Sequence, residues 1–323
     1  MEDKIFKYGK DITWSLPLMF QYEPVWGTIV KLFKMFGIDV PPVNGFGCPK
    51  MAWFGGRRPN ITEEIEPMAL LKIFNYCKEV GITPSFTFTR TQLTKDDLND
   101  KYANYLLDMA LEFKAHFIVY SELLKNYIKE KDPNAYMVAS VIKSQEKFQG
   151  ENAKNWSVEN ETNHYNKLLK EYDLVVVRPE YSMGPLLENP SLLDDISRVE
   201  ILVNQRCVKN CPKAMEHYRV TEDCIEENGV FQCVHDEITD GKIAYNSCVS
   251  HDRKTIEKLV GSGVKHIKLQ GRGLELSTLS MALLLFTRIF EVEGKNFLVQ
   301  ERLMSGAAEM ELEQFAAYLN NQF

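Results

Sequence analysis

Short apolar runs alternate along this chain with stretches in which apolar positions recur every three or four residues. The first pattern predicts strands and the second helices. Strand-like runs fall at residues 12–16, 51–54, 85–90, 116–120, 135–141, 174–177, 201–203 and 266–269. Helical patterns fall between them, at 25–36, 60–81, 94–113, 123–131, around 164–172, 254–259 and 276–290. Pro17 weakens the first strand. Residues 149–161 read as a polar loop.

Strands that alternate with helices predict a parallel sheet. The continuous apolar run Leu174-Val175-Val176-Val177 suits a sheet covered on both faces. Eight strands in 323 residues predict a (β/α)8 TIM-like barrel of the α/β class. The barrel should span 1–291, including a cysteine-rich insertion over 207–250 after the seventh strand. A helical C-terminal appendage should follow over 292–323. The rival architecture, an open doubly wound sheet, would carry a glycine fingerprint after its first strand, and none is present.

Composition narrows the picture. The chain is 45% hydrophobic and 26% charged, as a globular protein is, and its formal charge of −7 argues against general polyanion binding. The N-terminus Met1-Glu2-Asp3-Lys4 lacks a signal-peptide core, and the apolar stretch 281–286 is far too short to span a bilayer. The expectation is a cytoplasmic protein with no membrane partner.

In a barrel, function gathers at the C-terminal strand ends. Those ends carry Arg57 and Arg58, Arg90, Ser121 and Glu122, Lys143 and Ser144, Arg178 and Glu180, Asn204 and Arg206, and finally Gln270 and Arg272. Six arginines directly after strands predict a positive mouth on an acidic body. Their planar forks suit carboxylate or phosphate. Arg57, Arg90, Arg178, Asn204 and Arg272 are therefore the candidate contacts for an anionic substrate, with Glu180 and Arg178 the candidate catalytic pair. The alternative is that these arginines pair with neighbouring glutamates.

Five of the seven cysteines (Cys207, Cys211, Cys224, Cys233, Cys248) fall in one window of about forty residues. In a reducing compartment such clustering points to metal rather than disulfides. The candidate ligands are Cys207, Cys211, Cys224 and Cys233, with Cys248, Cys48, His217 or His235 as possible replacements. A three-residue gap between Cys207 and Cys211 favours an iron–sulfur cluster over a zinc knuckle. It does not extend to a radical S-adenosylmethionine motif, because Ala214 stands where the third cysteine would be. Cys77, in a helical pattern, reads as core. His251 reads as a residue near a helix start.

Val203-Asn204, then Cys207 and Cys211-Pro212 with His217 downstream, then Gly263-Val264-Lys265-His266-Ile267-Lys268-Leu269-Gln270-Gly271-Arg272, resemble the collagenase-like peptidase family U-32. In that family a last-strand Lys-x-x-Gly-Arg follows a cysteine-containing segment. The resemblance implies a TIM-like barrel. It also implies, for several members, oxygen-independent hydroxylation of RNA bases or quinone precursors on a four-cysteine [4Fe-4S] cluster. By resemblance, Cys207 and Cys211 map onto the cluster segment and Arg272 onto the Gly-Arg motif. Gln270 departs from the family's usual Glu, the cysteine spacing differs, and the long C-terminal domain of larger members is missing. The expected function is redox modification of an anionic small molecule or RNA base, with a protein partner or electron donor. The alternatives are a zinc-dependent hydrolase or peptidase using Glu180 or Glu122 as base, and a non-catalytic subunit stapled by metal.

Overall fold

The computed structural model describes residues 11–17, 20, 42–55, 64–222 and 248–269; for 206–208, 221, 248–250 and 253 it describes the backbone alone. The chain begins with strands β1 (Thr13–Leu16) and β2 (Val43–Gly47), then helix α1 (Pro67–Val80) and β3 (Ile82–Phe88). It continues through α2 (Lys101–Glu112), β4 (His116–Val119), α3 (Glu122–Lys131), β5 (Tyr136–Ala139), α4 (Val141–Phe148) and α5 (Val158–Glu171). There follow β6 (Leu174–Val177), two short helices α6 (Pro179–Met183) and α7 (Pro185–Glu188), and β7 (Val199–Leu202). The last described elements are β8 (Asn204–Val208), α8 (Ala214–Glu222), β9 (Cys248–Ser250), α9 (Arg253–Gly261) and β10 (His266–Lys268). Eight strands close a parallel barrel in the order β1-β10-β7-β6-β5-β4-β3-β2, while β8 and β9 form a separate antiparallel ribbon.

Local chemistry sets the helix ends. Asp100, Ser157 and Asp252 each accept a backbone N–H from the first turn of α2, α5 and α9, the usual work of an N-cap. Pro67 opens α1, and Gly81 ends it in the left-handed conformation that a side chain would resist.

Three expectations need correction. The apolar run 51–54 is not a strand. Trp53 is fully buried there, packs edge-on against Phe88 and Tyr127, and donates its indole N–H to Asp97 O at 2.7 Å. The second barrel strand is instead Val43-Asn44-Gly45-Phe46-Gly47, paired on both sides by β1 and β3, which overrides the poor strand propensity of its two glycines. The fifth strand stops at Ala139 and α4 starts at Val141, so Lys143 and Ser144 stand on the first turn of that helix. The polar stretch after α4 also winds into a short 3-10 segment and the start of α5. The predicted helices 25–36 and 276–290 and the appendage 292–323 lie outside the described residues, as do Arg57, Arg58, Arg272, Gln270, Cys224, Cys233 and His235.

The parallel register divides the strand residues between two faces. Trp14, Phe86, Phe117, Met137, Val175, Ile201 and Ile267 point outward into the main core between sheet and helices. The inward face is mixed. Ile118, Val138, Leu174 and Val176 form one apolar wall with Phe46 and Tyr136. Beside them Ser15 and Lys268 both donate to Glu200, the register partner of Val176, and the Lys268 ammonium lies 4.1 Å from the Phe46 ring centre. Among the described residues no helix is long and apolar enough to cross a membrane.

Candidate functional site

In the closed ring of eight, β7 and β3 stand diametrically opposite each other. One segment joins their C-terminal ends. The chain leaves β7, continues as β8, turns, and runs along α8, where Glu222 accepts the Thr91 amide at 2.8 Å and the Thr91 hydroxyl at 3.1 Å, just past β3. On the way, the Asn210 N–H donates to Glu180 Oε1 at 2.9 Å, beyond β6. Pro212 O lies so near Gly150, beyond β5, that a Cβ there would come within 2.9 Å of it. Arg219 and Glu222 act electrostatically on Tyr120, beyond β4. Residues 203–222 thus form a strap over half the rim, at the face where barrels keep their chemistry.

The strap is docked on a buried charge cluster. Arg178 is 1% exposed and makes two 2.8 Å hydrogen bonds to Glu161, which is 0% exposed. Burial opposes the guanidinium's charge, but the Glu161 hydrogen bonds hold its pKa above the ordinary range. Trp156 Nε1 and Tyr165 OH also donate to Glu161. Glu180, a turn further on, takes Gln149 Nε2 at 3.0 Å on the same oxygen that receives Asn210 N–H. Its other oxygen is 3.9 Å from Arg178 Nη1 and has no hydrogen-bond partner, and neither has Gln149 Oε1. Asn210 Oδ1 accepts from Arg178 Nη1 at 3.4 Å.

The residues singled out from sequence are dispersed by this geometry. Arg178, read as an anion contact, already has a carboxylate of its own, so its fork is occupied. Arg90 reaches Ala52 O at 3.4 Å in the loop after β3. Asn204 is buried at the start of β8. Glu122 and Lys143 pair with each other. Burial works against the Glu122 carboxylate, yet hydrogen bonds from Lys125, Lys143 and Tyr172 hold its pKa down to about 2.

Cys207 lies on β8 and Cys248 opens β9. Cys248 is the Cα partner of Val208, so the backbone of Cys248 runs beside that of Cys207. Cys211 is buried at the turn, packed with Ala214. Cys48 is buried in the main core, its Sγ 3.2 Å from Met51 Sδ, and burial pushes its thiol pKa up. Cys77 is core, as expected, with its thiol pushed up to about 12 by burial. His251 is fully buried, its Nε2 2.8 Å from Ser182 Oγ. Among the described residues no three His, Cys, Asp or Glu side chains are gathered to hold a metal ion.

Sequence reading missed Glu161, Gln149, Asn210, Glu222 and the Ser15–Glu200–Lys268 group inside the barrel. A weak signal existed at Asn210, a residue type that tolerates positive φ, set in a polar turn between two cysteines. The others depend on contacts far apart in sequence.

No protein-family model and no curated protein matches the chain. Among solved structures it is similar to a U32 peptidase, Mk0906, at 12% identity and a TM-score of 0.44, over 81% of this chain and 93% of that one. It is also similar to an HpcH/HpaI aldolase from Desulfitobacterium hafniense DCB-2, at 12% identity and a TM-score of 0.32, over 91% and 95% of the two chains. The chain is a closed eight-stranded parallel barrel of the TIM type, with a likeness to a U32 peptidase.

Proposed function

We propose that this chain is a barrel enzyme whose cysteine segment binds a [4Fe-4S] cluster at the mouth, and that it carries out an oxygen-independent redox modification of an anionic small molecule or nucleic-acid base. The observation that carries this reading is the ribbon register. It sets the backbones of Cys207 and Cys248 side by side at the base of a strap, with the buried Cys211 four positions after Cys207. Cysteines on both strands of one ribbon and in the turn after it offer a soft donor set, which suits iron–sulfur or zinc. Cys224 and Cys233 are the candidates for a fourth thiolate. The cluster would supply electron transfer or Lewis acidity.

The chain's own residues then have separate tasks. Arg57, Arg90 and Arg272 are the proposed anion contacts, with Asn204, buried at the start of β8, as a further polar candidate. The strap covers the mouth and keeps water from that half of it. Glu180 keeps one carboxylate oxygen under the strap that lacks a hydrogen-bond partner and lies 3.9 Å from Arg178 Nη1, so it can accept a substrate N–H or O–H.

The test is iron, sulfide and zinc content, with a visible spectrum, on protein purified without oxygen. About four irons and four sulfides per chain, lost in a Cys207→Ala Cys211→Ala variant, is the expected result. Zinc without iron would favour the hydrolase alternative. Protein that carries no metal under these conditions would overturn the reading.

A further inference from the structure

The turn that carries Cys211 is held in an unusual backbone state. Asn210 has φ +53°, in the left-handed region that few side chains adopt. Both of its polar ends are spent on the barrel. Its N–H goes to Glu180 Oε1 and its side-chain oxygen accepts from Arg178 Nη1. Two residues on, Pro212 O lies over Gly150, itself at φ +59°, where an added Cβ would come within 2.9 Å of it. Gln149, next to that glycine, orients Glu180 from the other side through its 3.0 Å hydrogen bond. Arg178 in turn is fixed by the two bonds it donates to Glu161. A chain of oriented groups therefore runs from the core of α5 to the residue before Cys211.

We infer that Arg178, Glu180 and Asn210 form a clamp that sets the position of the Cys207–Cys211 turn, and so act as positioning residues for the metal rather than as the anion site. This inference rests on the metal reading above. Groups that hold a ligand-bearing backbone in place commonly change metal affinity by about 10- to 100-fold when removed. The clamp has two parts that substitution can separate. Asn210→Gly keeps the N–H and accepts positive φ at no steric cost. Asn210→Val keeps the N–H but resists positive φ and loses the side-chain oxygen. Glu180→Gln keeps an acceptor for both N–H donors and loses the charge, whereas Glu180→Leu removes the acceptor.

The experiment is metal retention against a chelator, with the visible spectrum, for the anaerobic wild-type chain and these four variants. Far-UV circular dichroism checks that each variant is folded. Asn210→Val and Glu180→Leu should lose metal at least about tenfold more readily than wild type. Asn210→Gly and Glu180→Gln should stay within about threefold, and Glu180→Gln should shift the metal's absorption or reduction potential because the charge bonded to the turn is gone. If folded Asn210→Val and Glu180→Leu retain metal as wild type does, the clamp is wrong and the metal site stands. If wild type binds no metal at all, the metal reading falls and takes the clamp with it.

Discussion

Arg178 illustrates how a residue's partners decide its role. As the residue after an apolar strand it reads as a rim cation ready for an anion. In the fold its guanidinium is buried against Glu161, seventeen residues of helix and strand earlier in the chain, together with Trp156 and Tyr165. An ion pair this deep is expensive to break from one side, because the remaining charge is left without a partner. Glu161→Leu should therefore lower unfolding free energy by about 3–5 kcal/mol in urea titrations, and adding Arg178→Met should restore part of the loss. A double variant no more stable than the single would show that Arg178 does not depend on this carboxylate. Gly150 gives a second test at this scale. Gly150→Ala combines positive φ with a contact that Pro212 O cannot tolerate. It should expose the strap, seen as faster cleavage of residues 203–222 by a protease, with the barrel intact.

The elements were partly legible before the fold was known. Seven of the eight barrel strands coincide with apolar runs, because a strand buried on both faces needs little else in its sequence. The second strand was hidden, since Val43-Asn44-Gly45-Phe46-Gly47 looks like a loop until two neighbours pair with it. Helix α4 was hidden by its own start, where Val141 and Ile142 prolong the apolar run of β5. The cysteine window was legible as a cluster, but the ribbon register that brings Cys248 beside Cys207 is a long-range pairing and leaves no local signal. The strap as an element makes its own prediction. Glu222 holds the Thr91 amide, so Glu222→Ala should speed hydrogen exchange at Thr91 while the amides of β3 stay protected. Unchanged exchange at Thr91 would mean that the strap's far end is not fastened there.

For the whole molecule, the histidines set a pH limit. Burial pushes His116, His164 and His251 down to about 4 and lowers His266 as well. The folded chain thus favours these rings neutral, whereas the unfolded chain protonates them near the ordinary value of 6.5. Below that pH the unfolded state binds more protons, so stability falls as pH drops from 6.5 towards 4. Glu122 adds to the loss at lower pH, because its depressed carboxyl contributes stability that goes as pH falls below 4.5 towards about 2. Calorimetric Tm should therefore be clearly lower at pH 5 than at pH 7.5, and an unchanged Tm would contradict the burial of these rings.

The Ser15–Glu200–Lys268 group has a consequence for the order of assembly. It ties β1, β7 and β10 across the seam where the first strand meets the last, residues about 250 positions apart. Contacts that close so long a loop form late, after the more local β2–β7 pairings have drawn the chain together. Glu200 would then meet its hydroxyl and its ammonium only once the rate-limiting step has passed. A defect in this seam would leave folding speed nearly unchanged and shorten the lifetime of the finished barrel.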